Sequence, residues 1–492
     1  MRIHPHLFEL NLRSFLRGLS DGFTKESIEK IPEDYWLELQ VLGINIVWLM
    51  GVWRTCPGIV EECCFEEGLI QSYNRALKDW VKEDVAGSPY SICDYEFNAE
   101  ICNAGELITL RKKLNSLGMK LILDFIPNHF SAGSELIGQH PEFFLEVDEG
   151  TYLKDQHTFF KPSFFSDRYF AHGRDPFFPG WTDTIQVNYF NPAARAFMID
   201  RIKGIAQYCD GVRCDMAMLS LNNVFHNTWR GVIDEKLFQK PEKEFWAEAI
   251  SEVKKDFPAF LFIAESYWDL EWDLQQLGFD YTYDKKLLDR LKDGTPRSIR
   301  DHLKADADYQ QKSVRFIENH DEERSVISLG REKVLPAALL MSTIPGMKLY
   351  FEGQFSGKKT KLPVQLVREP KENVVSFIRE GYHKILKIAN RQIFHDGVFT
   401  VLEALPAWHN NDTYANIIAY QWILDGERAV VCVNYSGSAA QCRLKINVDD
   451  CDENIELNDL MNNKLYIRSS EEILRQGLYI ELSGYQSHVF LY

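Results

Sequence analysis

Four short segments of the 492-residue chain end apolar runs in groups that can move protons or carry charge. They are LILDFIPNH (Asp124, Asn128, His129), DGVRCDMAM (Arg213, Asp215), FLFIAES (Glu265) and VRFIENHD (Asn319, His320, Asp321). An acid that closes a core strand is costly to bury unless it has a partner or a task. Three such carboxyls, Asp215, Glu265 and Asp321, suit the cleavage of an acetal. A glycosidic bond breaks through an oxocarbenium-like transition state that needs a proton on the leaving oxygen and a negative group beneath the anomeric carbon. Two carboxyls about 5 to 5.5 Å apart would act by the retaining route, one attacking to form a glycosyl ester while the other serves first as acid and then as base. Arg213, two residues before Asp215 on the same strand, points to the same face and can hold a carboxylate ionised. Glu265 is the one Glu of the three, and its longer reach suits the acid. His129 and His320 can hydrogen-bond sugar hydroxyls without a permanent charge.

These groups are spread over almost 200 residues of sequence, so regular elements must bring them together. Apolar or alternating runs at 7–13, 44–50, 119–125, 211–215, 260–264, 279–283, 313–318 and 348–351 read as eight strands. Amphipathic stretches at 33–42, 104–117, 193–208, 243–256, 333–343 and 374–390 read as helices between them, with Gly43 and Gly118 at two helix ends. Periodicity does not separate a closed barrel from an open sheet. The site residues favour the α/β class in the form of a (β/α)8 TIM barrel, whose strand C-terminal ends all open on one face. The barrel is expected over 1–129 and 192–394. The Phe-, Pro-, Gly-, Asp- and His-rich stretch 130–191 is too long for a plain loop and is expected to form a lobe inserted after strand three. From 395 to 492, short strand-like runs between turn residues predict a C-terminal antiparallel β-sandwich.

With 55 Lys+Arg against 72 Asp+Glu, the net charge of −17 would repel a phosphate backbone, so no nucleic-acid partner is expected. No apolar stretch approaches the roughly 20 residues of a membrane span, and no membrane partner is expected. The N-terminal MRIHPHLFELNLRSF lacks an apolar signal region, and the protein is expected in the cytoplasm. All ten cysteines (Cys56, Cys63, Cys64, Cys93, Cys102, Cys209, Cys214, Cys432, Cys442, Cys451) are expected as reduced thiols, with Cys214 a small core hydrophobe. The acidic cluster 449–453 reads as a solvated turn. The sequence leaves the oligomeric state open.

The four segments resemble, in order and spacing, the four signature regions of the α-amylase family of glycoside hydrolases (family 13). The resemblance covers essentially the whole chain, lobe and C-terminal module included. It implies that Asp215 is the nucleophile, Glu265 the general acid/base and Asp321 the transition-state stabiliser. It places Arg213, His129 and His320 around the sugar, Tyr90 of GSPYSICDYEFN stacked beneath that sugar, and Asp124 and Asn128 in support at the barrel end. Asp124 and Asn128 could equally be structural, and Trp181, Tyr267, Trp268 and Trp272 could line a glucan groove or simply pack.

Four positions depart from the family pattern: Met218-Leu219 replace a Lys-His pair near the acceptor subsites, Ser91 replaces an Asp, and Gln186 stands where the family often has an Asp that binds calcium. A neutral amide suits a hard cation poorly, so no metal or other cofactor is expected, with calcium through Asn128 as the alternative. The expected function is hydrolysis of α-1,4-glucosidic bonds in α-glucans or maltooligosaccharides. The rivals are a transglycosylase with the same chemistry and a non-catalytic carbohydrate-binding barrel, whose mark would be a lost carboxylate.

Overall fold

Eight parallel strands close into a barrel because each is a short apolar run buried on both faces, against helices outside and neighbouring side chains inside. The computed structural model describes residues 2–19, 27–234, 236–448 and 452–492. The barrel strands are β1 (His6–Asn11), β2 (Ile46–Met50), β3 (Lys120–Phe125), β4 (Gly211–Cys214), β5 (Leu261–Ala264), β6 (Tyr281–Tyr283), β7 (Ser313–Arg315) and β8 (Met347–Phe351). Each pairs with the next, and β1 closes on β8 through the register His6 to Lys348.

Some boundaries differ from expectation, for local reasons. The first strand stops at Asn11 rather than residue 13. The side chain of Asn11 accepts from the Ser14 amide, and Arg13 turns away to donate to the carbonyls of Gly87 and Val364, starting the helix Leu12–Leu19. The seventh strand stops at Arg315 rather than 318, and Glu318 beyond it pairs with Arg324 and accepts from the Ser325 amide. The helices Lys285–Asp293 and Pro296–Leu303 were not anticipated; their starts are capped by Asp284 and Thr295, whose side chains accept from Leu287 and Ser298.

Between β3 and β4 the chain forms the inserted lobe. A ribbon of His129–Ser131 with Thr184–Gln186 ties its base, and Glu146–Val147, Tyr169–Ala171 and Phe159–Phe160 make a small sheet above. After residue 397 the chain forms a six-stranded and a three-stranded antiparallel sheet, with Val430, Cys432, Cys442, Leu444 and Ile480 packed in the core between them. Trp422 Nε1 donates to the Thr343 carbonyl and Tyr435 Oη to that of Leu291, docking this module on the barrel.

The thiol expectation needs one correction. Cys56 and Cys93 form a disulfide, with Cα atoms 5.5 Å apart. The cause is tertiary: Trp53–Thr55 pairs antiparallel with Ile92–Phe97, matching Thr55 to Ile92, and this pairing sets Cys56, just past the end of the first strand, near Cys93 in the second. Cys63, Cys64, Cys102, Cys209, Cys214, Cys432 and Cys442 are free. Cys451 and most of the 449–453 cluster lie outside the described residues. No helix among the described residues is long and apolar enough to cross a membrane.

Candidate active site

Arg213 organises the site. The β3–β4 register sets it beside Asp124, and both side chains point inward, where a charge without a partner would be prohibitive. The guanidinium Nη1 donates to Asp215 Oδ1 at 2.7 Å and lies 3.5 Å from Asp124. Its Nη2 is 2.8 Å from Glu265 Oε2. One planar cation therefore holds carboxyls from the ends of three strands, and the acid pair Asp215 and Glu265 is drawn close together. The rings of Trp48, Tyr90 and Tyr283 surround it with their faces at 5.0 to 5.6 Å.

The carboxyls do not share one environment. Burial pushes Glu265 up to about 7; Arg213 pulls against this, and the neighbouring charges of Asp215 and Asp321 add to it. Glu265 Oε2 accepts from the Met216 amide at 2.7 Å, and Oε1 accepts from Tyr267 Oη at 2.8 Å. Met216 has a left-handed backbone (φ +42°), a conformation that costs a side-chain-bearing residue energy and here aims its N–H at the acid. Burial also raises Asp215, with Arg213 opposing. Asp124 is pushed up to about 7 by burial, with Arg213 opposing, so this supporting acid is about half ionised near neutrality and uncharged well below it. For Asp321, desolvation works upward, but the charge of His320 outweighs it and holds the acid at about 2. The Asp321 side chain is also the open one, 47% exposed at the mouth.

His320 Nε2 lies 2.9 Å from both Asp321 Oδ2 and Tyr90 Oη, and the Tyr90 ring stacks on it at 5.5 Å. His129 is buried and lowered to about 4 by that burial, which keeps it neutral, and Trp181 packs on its ring. Of the other aromatics, Tyr267 touches the acid. Trp268 is exposed at the rim against Phe177 of the lobe, with ring centroids 5.1 Å apart. Trp272 lies instead on a side cleft with Lys286 and Tyr309. Met218 and Leu219 are buried.

Asn128 sits in the base of the lobe, where Gln186 Nε2 donates to its backbone carbonyl (2.9 Å), to its side-chain Oδ1 (3.0 Å) and to the Val187 carbonyl (3.0 Å). Those three oxygens are the kind a hard cation would take, but an N–H donor already points at them, so the residues present do not fit calcium. Among the described residues no cluster of three or more His, Cys, Asp or Glu could hold a metal.

Sequence reasoning missed Glu9, whose carboxylate lies against His320; its only signal was a charged residue inside the apolar run HLFELN. It also missed Tyr283, whose Oη is 3.4 Å from Arg213 Nε, and the amide of Met216, which no side-chain motif could reveal.

Residues 38–384 match the family model described as alpha amylase, catalytic domain. The chain is 22% identical to alpha-amylase MalA of Haloarcula japonica, over 76% of this chain and 51% of that one. It is 27% identical to a cyclomaltodextrin glucanotransferase of Geobacillus stearothermophilus, over 67% and 42%. The chain thus spans about half the length of the curated relatives it matches. Among solved structures, a noncanonic maltogenic alpha-amylase, AmyB, from Thermotoga neapolitana superposes with a TM-score of 0.69 at 20% identity, covering 100% of this chain and 99% of that one.

Proposed function

Since the chain belongs to the alpha-amylase family by its catalytic domain, we propose that it is a retaining α-glycoside hydrolase acting on α-1,4-glucosidic bonds of α-glucans or maltooligosaccharides. The observation that carries this is the bridging of Asp215 and Glu265 by Arg213, which brings two acids together on one cation, as a nucleophile and a proton donor require. Glu265, protonated below about pH 7, delivers its proton to the glycosidic oxygen as Asp215 bonds the anomeric carbon. The bond to the leaving sugar breaks, and a glycosyl ester on Asp215 remains. Glu265, now the base, takes a proton from water; the hydroxide oxygen bonds the anomeric carbon and the ester opens. Asp321, ionised throughout, accepts hydrogen bonds from sugar hydroxyls and stabilises the positive charge that develops on the ring. His129, His320 and Tyr90 shape that subsite, and Asp124 and Asn128 hold its base. No metal takes part in this scheme.

The test is turnover of maltoheptaose by wild type and by Asp215→Asn, with kcat expected to fall by several orders of magnitude. A variant that retains more than about a tenth of wild-type turnover would end the assignment.

A second reading, transfer of the glycosyl group to a sugar acceptor, is favoured by the buried apolar pair Met218-Leu219 on the acceptor side and by the glucanotransferase relative. Longer products from maltoheptaose with added maltose would select it. The seven free cysteines among the described residues support the expected cytoplasmic setting, and the Cys56–Cys93 bridge stands against it.

A further inference from the structure

β1 is buried at every position, yet its fourth residue is a glutamate. An unpaired charge there would cost several kcal/mol. Glu9 Oε1 lies 2.5 Å from His320 Nδ1, while Oε2 has no hydrogen-bond partner. The other ring nitrogen, Nε2, is 2.9 Å from Asp321 Oδ2. Glu9, His320 and Asp321 thus form one line from a buried strand to the open mouth, joining residues 311 positions apart. Trp48 packs edge-on against the imidazole and Tyr90 stacks on it, so the ring cannot turn.

We propose that Glu9 is a positioning residue for the reaction: it makes both ring nitrogens of His320 donors, and the imidazole in turn aims Asp321 at the sugar. The inference rests on the glycosidase reading of the same site. Glu9 does not reach the mouth, and its effect passes through His320. Burial alone would lower His320, but the charges of Asp321 and Glu9 outweigh it and keep the ring well above its usual range. The other charged or titratable groups facing this line are Arg213 and Asp215 from the end of β4, Asp124 from β3, Glu265 and Tyr267 from the end of β5, Tyr90 from its loop, Tyr283 from β6 and Lys361, which donates to the Asp321 carbonyl. Arg213 and Lys361 are the cations among these, and the carboxylates of Glu9 and Asp321 are the groups that favour a charged His320. Removing the Glu9 charge while keeping its shape leaves an amide oxygen that can accept from Nδ1 but takes away one of the two charges that support the ring. His320 should then lose its proton within the working pH range, and Asp321 its partner.

The experiment is Glu9→Gln in the full chain, followed by two readouts. Nitrogen-15 NMR of the histidine rings should show His320 protonated at both nitrogens beyond pH 8 in wild type and titrating between about pH 5 and 8 in the variant. On maltoheptaose, kcat should fall about tenfold or more with KM within about twofold, and the alkaline limb of the rate profile should move down by about one unit. Glu9→Asp, which restores the charge one methylene short, should recover part of both signatures. If Glu9→Gln leaves the His320 spectrum and the alkaline limb as in wild type, the proposal is wrong. Absence of glucan cleavage by the wild type would instead overturn the functional reading, and the ring titration would still judge the Glu9–His320 link.

Discussion

Tyr267→Phe isolates one hydrogen bond to the proposed acid. In the structure Tyr267 Oη donates to Glu265 Oε1 at 2.8 Å, and the substitution removes only that donor. A hydrogen bond to a charged acceptor is worth about 1.5–3 kcal/mol and one to a neutral acceptor about 0.5–1.5 kcal/mol. The donor therefore favours the carboxylate over the carboxylic acid by about 1 to 1.5 kcal/mol, and with about 1.36 kcal/mol per pKa unit its loss should raise Glu265 by about one unit. The sign follows from the role. Glu265 must be protonated to act, and in wild type it titrates at about 7, so activity should fall as pH rises through that value. In the variant the proton is held more tightly, and activity should persist to about pH 8. The assay is kcat/KM on maltoheptaose from pH 4 to 10, in which the limb reports the coupled acid pair as a unit. The plateau rate should fall by less than about tenfold, because the proton donor itself is intact. An alkaline limb that stays in place or moves to lower pH would refute the assignment of Glu265 as the acid under Tyr267 control.

Metal removal should matter little. Chelator should shift the melting temperature by less than about 1 °C, which for a chain of 492 residues corresponds to about 1 kcal/mol, and mass spectrometry should find no stoichiometric calcium. Gln186→Asp, which sets a carboxylate against three oxygens, should destabilise the chelated protein by about 1–3 kcal/mol, with calcium restoring the loss. Thiol titration of the denatured, unreduced chain should give at least the seven thiols that are free among the described residues, with Cys56 and Cys93 reacting only after reduction. Reduction should cost about 4 kcal/mol, since the bridge spans 37 residues. Trp268→Ala should raise KM for maltoheptaose about fivefold, the equivalent of about 1 kcal/mol of ring contact, while leaving turnover of a glucoside with a small aryl leaving group within about twofold. Equal losses on both substrates would place Trp268 outside the leaving-group side.

The chemistry was legible where residue type and position were sufficient. Asp124, Arg213, Asp215 and Glu265 close apolar runs, and a barrel sends such positions to one face, so their convergence could be expected before any coordinates. Glu9 could not be read in the same way. In HLFELN it is a lone charge in a strand, and its partner His320 lies in another strand's loop on the far side of the chain. Cys56 and Cys93 have no telling spacing, and the extra strand pair that joins them is too short to show as a periodic run. Gln186 was legible as a departure, but only its three contacts show that the amide itself fills the space between the oxygens.

What the sequence determined alone was the order of elements and the stock of acids at strand ends, because hydrophobic period and residue type are local properties that survive without knowledge of neighbours. Tertiary structure decided which acid is charged and which keeps its proton. That depends on distance to Arg213 and His320 and on exclusion of water, and both are set only when β1 closes against β8 and the lobe folds over the mouth.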